Sequence, residues 1–175
     1  MEERGKIKKI TRNVSDFFGY AREDMVGFNI NLFMPTIFGK NHARFLSNFI
    51  DKGRIKLLKE RDRVIFAKNK KKFIFPVNIR LKAEHLLNGE FGASALITPF
   101  DTNSDYFLIG KNGRIEDMTQ QLYLRLFRKT LREEVGKVNR VCAYKILPGL
   151  NQITEHWQDN LTSKIYEGLL IFPAR

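Results

Sequence analysis

The strongest constraint on the fold is an alternation of apolar side chains in the middle of the chain. Every second residue from 73 to 81 is apolar: Phe73, Phe75, Val77, Ile79 and Leu81. Because successive side chains of a strand point to opposite faces, a period of two predicts a β-strand with one buried face. Pro76 lies at an alternate position, and its missing N–H favours an edge or a site without a ladder hydrogen bond.

Shorter patterns place further elements on both sides of this strand. Upstream, a strand is predicted over residues 5–10, followed by a helical turn over 11–20 that Gly19 closes as a left-handed stop, and by a second turn over 21–25. An irregular apolar segment is predicted over 27–35, and a helix from Asn41, as its N-cap, to about residue 51. Residues 63–67 and 91–97 are predicted as strands that flank the alternating segment. Strands mixed with short helices in this order indicate an α+β fold.

A turn-rich stretch at residues 99–104 is the predicted domain boundary. Beyond it, residues 113–120 repeat residues 5–12 in their glycine, basic residue, isoleucine, apolar residue and threonine. A strand over residues 105–109 is predicted to precede the second copy, joined to it by a hairpin turn at 111–113. We therefore predict one domain over residues 1–100 and the start of a second, incomplete one over 101–175.

The chain is strongly basic, with a net charge of +12 and a pI near 9.9. Its densest cluster, Lys68 to Lys72, lies between two predicted strands. Nucleic acid is not expected as a partner, because the aromatic residues beside the cluster follow strand alternation and do not form a base-stacking surface. The cluster is interpreted as a solvated hairpin tip; the alternative is a scaffold that binds acidic lipid or protein surfaces.

Several other classes of protein and site are excluded. No apolar run approaches the roughly 20 residues that span a bilayer. The single cysteine, Cys142, excludes an internal disulfide and a cysteine-rich zinc site. The chain contains no Gly-Lys-Ser/Thr phosphate loop, no His-Glu-x-x-His and no Gly-x-Ser-x-Gly, and its three histidines lack metal-ligand spacing. We therefore do not expect an enzyme.

An ordered series of short motifs runs through residues 5 to 98: Gly5-x-Ile7, Phe18-Gly19-Tyr20, Gly27 through Pro35, His42 through Gly53, and Phe75-Pro76-Val77. The series resembles the PAS family of sensory domains, and residues 105–175 resemble the beginning of a second PAS unit. The pairing is also similar to tandem PAS repeats of large membrane proteins of ciliate-type protists. The resemblance implies a five-stranded antiparallel sheet with short helices on one face.

In function, the resemblance implies a non-catalytic signal-transduction module that closes a small apolar cavity. Its expected partners are other protein domains or a second PAS unit, as in a dimer. Its expected location is cytoplasmic, as the cytosolic part of a larger membrane protein. The side chains expected to line or fill the cavity are Phe33, Phe45, Phe49 and Phe66.

The resemblance also implies two candidate cofactors for that cavity, flavin and haem. Flavin photochemistry is excluded, because Ile30 stands where flavin photosensors carry their reactive cysteine. Haem is the alternative, since His42 stands where haem-binding PAS sensors place the proximal histidine, on a helical face shared with Phe45 and Phe49. The distal arginine of those sensors matches Arg63 only with a one-residue insertion. We expect no cofactor, with haem through His42 as the alternative.

Overall fold

The computed structural model describes residues 5–39, 41–42, 63–85, 91–110, 112–127, 142–146 and 150. Within them the chain is α+β, with one three-stranded and one two-stranded antiparallel sheet and a few short helices. The strands are β1 Arg63–Lys68, β2 Ile74–His85, β3 Phe91–Pro99, β4 Phe107–Ile109 and β5 Ile115–Met118. The helices are α1 Arg12–Phe18, α2 Gln120–Phe127 and α3 Ala143–Ile146, with 3₁₀ turns at Arg22–Asp24 and Ile30–Phe33. Residues 36–39 and 41–42 are also helical.

Helix α1 ends as its sequence predicts. Gly19 adopts a φ of 73°, in the left-handed region that glycine reaches without steric cost, and its N–H donates to the carbonyl of Ser15 at 2.8 Å. The turn at Arg22–Asp24 follows, as predicted. Asn29 then caps the second 3₁₀ turn, because its side chain accepts a hydrogen bond from the N–H of Asn31 at 2.9 Å.

The three predicted strands of the first sheet are confirmed. They lie in the order β1-β2-β3, so that β2, which contains most of the alternating segment, is central. Pro76 faces Phe66 of β1, whereas pairing with β3 begins at Val77. The proline therefore lies where β2 has a neighbour on one side only, and the sheet keeps its pairing despite the missing N–H.

The lysine-rich segment forms the turn between β1 and β2, as predicted. Asn69 organises it: its N–H donates to the carbonyl of Phe73 at 3.0 Å, and its Oδ1 accepts from the N–H of Phe73 at 3.1 Å. Lys72 takes a φ of 70°, which is unusual for a residue with a Cβ.

The second sheet is the predicted hairpin after residue 104. Strands β4 and β5 pair antiparallel, and Gly113 closes the turn with a φ of 71° and an N–H bond of 2.9 Å to the carbonyl of Gly110. A Cβ on Gly113 would overlap the ring of Tyr144, so the site needs glycine for space as well as for conformation. Helix α2 follows at Gln120 and is described to Phe127.

Two local predictions differ from the structure. Residues 5–10 were expected to form a strand, but they contribute one isolated bridge, between Lys6 and Asn29, because the backbone of Ile7 bonds to the loop at residues 27 and 28. Asn41 was expected to cap a helix, but residues 36–39 are already helical and Asn41 is helical itself. The described strands form sheets of three and two, so the single five-stranded sheet stays a prediction.

The buried side chains form two clusters. The first joins α1, the 3₁₀ turns and the three-stranded sheet: Ile7, Phe18, Tyr20, Met25, Phe33, Ala67 and Val77. The second joins the hairpin, α2 and α3: Ile115, Met118, Leu122, Tyr123 and Ala143, together with Phe73. Since Phe73 directly precedes β2, the second cluster packs against the end of the first sheet. No helix in the described ranges is long and apolar enough to cross a membrane.

Candidate functional site

A buried ion pair joins the first sheet to the β4–β5 hairpin, which we call the second hairpin. Lys68, at the end of β1, places its Nζ 2.6 Å from Oδ1 of Asp117 on β5 and donates to Oγ1 of Thr36 at 2.9 Å. The N–H of Thr36 donates to the other carboxylate oxygen of Asp117 at 2.9 Å. The two charged side chains are only 13% and 3% exposed. We call these three residues the Lys68 triad.

Burial makes the triad sensitive to the loss of any member. Removing a carboxylate and an ammonium from water costs several kcal/mol per ion, which only close pairing and further hydrogen bonds offset. Asp117 meets this requirement because each of its oxygens accepts from a donor, and Lys68 because two of its three N–H groups have acceptors. The triad is therefore a specific contact between two parts of the chain that the sequence places in different domains.

An open cavity of about 390 Å³ lies beside the triad, within the usual range for small-molecule sites. Its wall combines apolar side chains, an amide and two ammonium groups, from Asn31, Leu32, Met34, Thr36, Gly39, Lys68 and Lys72. Within the described part of the chain, Asp117 and Thr36 use two of the donors of Lys68, which leaves the third for a molecule in the cavity. This lining suits a small molecule with an apolar body and an anionic group.

His42 lies next to this wall through its contact with Asn31. The Nδ2 of Asn31 donates to the carbonyl of Gly39 at 3.2 Å, so its Oδ1 is the acceptor that faces Nδ1 of His42 at 3.0 Å. His42 therefore donates from Nδ1, and the neutral ring carries its lone pair on Nε2. Burial lowers the pKa of His42 below its ordinary 6.5, which favours that neutral form.

The predicted cavity residues do not meet at one place in the described structure. Phe33 is buried, stacked on Phe18 with ring centroids 4.2 Å apart, and Phe66 packs edge-on against Tyr106 at 5.0 Å. Neither ring lines the cavity beside the triad. Phe45 and Phe49 lie outside the described residues, as does the side chain of Arg63, whose backbone begins β1.

The lysine cluster divides into residues with different roles. Lys68 is internal to the triad, and Lys70 pairs with Asp24 at 3.0 Å while its ammonium lies 5.7 Å from the ring centre of Tyr20. Burial raises the pKa of Tyr20, and the nearby positive charge of Lys70 opposes that rise. Lys71 and Lys72 are exposed. The cluster therefore offers fewer uncommitted charges to an acidic surface than its sequence indicates.

Sequence reasoning missed Asp117, Thr36 and Asn31. One signal could have identified Asp117: it stands two positions after Ile115 on a predicted strand, where alternation places it on the buried face. A carboxylate at such a position requires a cationic partner. Which lysine or arginine pairs with it depends on long-range packing, and the local pattern does not supply that.

No protein-family model matches the chain. A probable serine/threonine-protein kinase of Dictyostelium discoideum is 20% identical over 88 residues, which are 50% of this chain and 6% of the kinase. The chain thus corresponds to a small part of that protein's length. Within the ranges described, no group of three or more His, Cys, Asp or Glu side chains is placed to hold a metal ion.

Proposed function

We propose that the chain is a non-catalytic sensory module of the PAS type, which binds a small amphipathic anion beside the Lys68 triad. One observation carries the proposal: Lys68 lines the cavity and also pairs with Asp117 of β5. A ligand that bonds to Lys68 alters the contact that joins the first sheet to the second hairpin. Occupancy of the cavity thereby changes the position or stability of the segment that follows.

The coupling follows from differential affinity. A ligand shifts an equilibrium between two arrangements only as far as it binds one more tightly than the other. With the triad intact, Lys68 offers one donor; with Asp117 displaced, it offers more donors and an uncompensated charge. An anion therefore binds more tightly to the arrangement in which Asp117 is displaced from Lys68. The complete five-stranded PAS sheet, dimerisation and a cytoplasmic location as part of a larger membrane protein belong to the same proposal.

The absence of catalysis is part of the proposal and has two supports. The sequence contains none of the phosphate-loop, metalloprotease or hydrolase motifs considered above. The similarity to a probable kinase covers 6% of that protein, which is compatible with a regulatory segment in a larger signalling chain. The kinase activity in that protein's name is not transferred to this chain.

Ligand binding is tested with hexanoate, which has a carboxylate and an apolar tail. In a two-dimensional amide NMR titration, we expect hexanoate to shift the signals of Asn31, Thr36 and Lys68. Lys72→Gln should weaken binding by up to about fivefold, since an exposed charge pair contributes up to about 1 kcal/mol. The matched control is Lys71→Gln, an adjacent exposed lysine outside the cavity wall, which should leave the affinity unchanged.

Hexanol, which has the same tail and no charge, separates the contribution of the anionic group from that of the apolar tail. It should bind to the unmodified protein more weakly than hexanoate does. Its affinity for Lys72→Gln should equal its affinity for the unmodified protein. Shifts that spread over the whole spectrum, or an equal loss of affinity in both lysine variants, would refute the proposed cavity as the binding site.

A second candidate function, haem-based sensing through His42, rests on the His42–Asn31 contact. A neutral ring held by its Nδ1–H, with the lone pair on Nε2, is the form in which histidine serves as an axial ligand of haem iron. Bound haem would supply the gas-binding or redox chemistry. Of the phenylalanines predicted to line the cavity, the two that the structure describes, Phe33 and Phe66, pack on other rings and do not line the cavity beside His42's partner Asn31. We therefore place this function second.

A haemin titration separates these functions, and a pH titration tests the burial of His42. Haemin added to the purified protein should give no sharp Soret band that His42→Ala removes; a His42-dependent band at near-stoichiometric haem would establish the haem function instead.

Because its folded pKa is lowered, His42 contributes stability that is complete above its unfolded pKa and is lost as the pH falls toward the folded pKa. The unfolding free energy should therefore fall less steeply below about pH 6.5 in His42→Gln.

A further inference from the structure

A second open cavity, of about 390 Å³, lies where β2, the segment after β3 and the start of α2 meet; we call it the linker cavity. Its apolar wall is largely aromatic, with Phe17, Phe75 and Phe100 beside Pro76 and Pro99. The rings of Phe17 and Phe75 meet edge-on with centroids 5.3 Å apart, and Phe100 is 37% exposed. The linker cavity therefore offers aromatic rings to a molecule that enters it.

The charge of this wall is opposite in sign to that of the chain. Its charged side chains are the carboxylates of Asp101 and Asp105, and among the described residues no lysine or arginine lines it. The cavity beside the Lys68 triad, by contrast, is lined by two lysines, and the chain carries a net charge of +12. A cavity with aromatic rings and carboxylates attracts cations and disfavours anions.

The two carboxylates differ in what they offer to such a cation. Oδ1 of Asp105 accepts from Oγ1 of Thr119 at 3.1 Å, and its Oδ2 accepts from the guanidinium of Arg125 at 2.7 Å. Arg125 therefore compensates much of the charge of Asp105 and occupies its lone pairs. Asp101 is exposed and supplies negative charge at the mouth of the cavity. The wall thus favours a cation that requires charge and rings more than free hydrogen-bond acceptors.

We propose that the linker cavity binds a small organic cation with a quaternary ammonium group. Such a group has no N–H to donate, and the faces of aromatic rings are the usual means by which proteins hold it. A primary ammonium has three N–H donors to satisfy and finds both oxygens of Asp105 already engaged. The inference goes beyond the proposed function, because neither this cavity nor its ligand depends on Lys68.

The charge of the chain favours a free small molecule over a basic peptide as the source of this group. Quaternary ammonium groups also occur on the trimethylated lysines of proteins. A basic peptide brings further positive charges into the field of a chain with a net charge of +12, and these are repelled. A free molecule brings a single charge, directly to the carboxylates.

The test is an amide NMR titration of the full chain with choline and with 3,3-dimethylbutan-1-ol, an uncharged molecule of nearly the same shape. We expect choline to shift the signals of Phe100, Thr102 and Gln121, and to bind about fivefold more tightly than the alcohol. Ethanolamine, which has a primary ammonium, should bind more weakly than choline. A basic peptide with one trimethyl-lysine should bind no more tightly than choline.

Two variants separate the ring from the charge. Phe100→Leu keeps an apolar side chain and removes the ring, so it should weaken the binding of choline and leave that of the alcohol nearly unchanged. Its matched control is Phe28→Leu, at an exposed phenylalanine outside the wall. Asp101→Asn should weaken choline binding by up to about fivefold. Glu23→Gln, which removes an exposed charge elsewhere, should leave it unchanged.

Several outcomes would overturn the proposal. They are equal affinities for choline and the alcohol, tighter binding of ethanolamine or of the peptide, and equal losses in a variant and its control. Choline-induced shifts at Asn31, Thr36 and Lys68 in place of the linker cavity would also overturn it. Thermal melts establish that each variant is folded. Hexanoate binding by Phe100→Leu, which should equal that of the unmodified chain, tests the proposed function separately.

Discussion

Replacement of Phe18 by alanine is expected to lower the free energy of unfolding by about 3–5 kcal/mol. Phe18 ends α1 and is 1% exposed. Its ring stacks on Phe33 and contacts Phe17 edge-on, with centroids 4.2 and 5.1 Å away. The substitution removes these contacts and leaves a cavity that the surrounding sheet and turns can fill only in part. The loss is a large share of the roughly 5–15 kcal/mol that stabilises a domain.

The chain supplies a matched control in Phe28, whose side chain is 55% exposed. Phe28→Ala should change the unfolding free energy by no more than about 0.5 kcal/mol, as for most surface substitutions. Both variants are compared by urea denaturation, with the midpoint and the slope followed for each. Equal losses in the two variants would contradict the placement of Phe18 in the first core cluster.

Local periodicity predicted the central sheet well. The alternation that includes Val77 and Ile79 identifies β2, because a strand with one face packed on a core must repeat every two residues. The three antiparallel strands, the left-handed stop of α1 at Gly19 and the hairpin closed by Gly113 are confirmed on the same local grounds. These elements are determined by residues close in sequence.

Local periodicity could not show where along β2 the alternation of apolar residues ceases to match the alternation of buried and exposed side chains. Phe73 has the spacing of the core face of β2, yet it belongs to the second cluster, where its ring lies 5.5 Å from that of Tyr123. Ile74, at an alternate position, is also fully buried. Packing from residues more than forty positions away covers this end of the strand, and a period of two contains no information about it.

The candidate site was predicted in part, and for the same reason. His42 was identified from its motif, but the residue that orients it, Asn31, required the folded loop at Gly39. Lys68 was predicted as part of a solvated tip, whereas its ammonium lies inside the triad because Asp117 reaches it from another sheet. A lysine at the start of a turn has the same local pattern whether it faces water or a buried carboxylate.

Replacement of Asp117 by alanine should be about as damaging as the loss of Phe18, although it removes a polar group. The variant leaves the ammonium of Lys68, 13% exposed, without its counter-ion and the N–H of Thr36 without its acceptor. Removing one partner of a buried ion pair costs about 3–5 kcal/mol. Chemical denaturation at neutral pH measures the loss. The matched control is Asp24→Ala, which breaks a pair whose side chains are 53% and 51% exposed and should cost at most about 1 kcal/mol.

Removal of both charges distinguishes the free-energy cost of an unpaired ion from the cost of lost packing. Lys68→Met combined with Asp117→Leu should recover much of the stability lost in Asp117→Ala, because apolar side chains of similar size carry no desolvation penalty. Hexanoate should stabilise Asp117→Ala more than the unmodified chain, since Lys68 then has no competing carboxylate. A cost for Asp117→Ala no greater than that for Asp24→Ala would show that the triad does not join the two sheets. Coupling between the cavity and the second hairpin would then lose its physical basis.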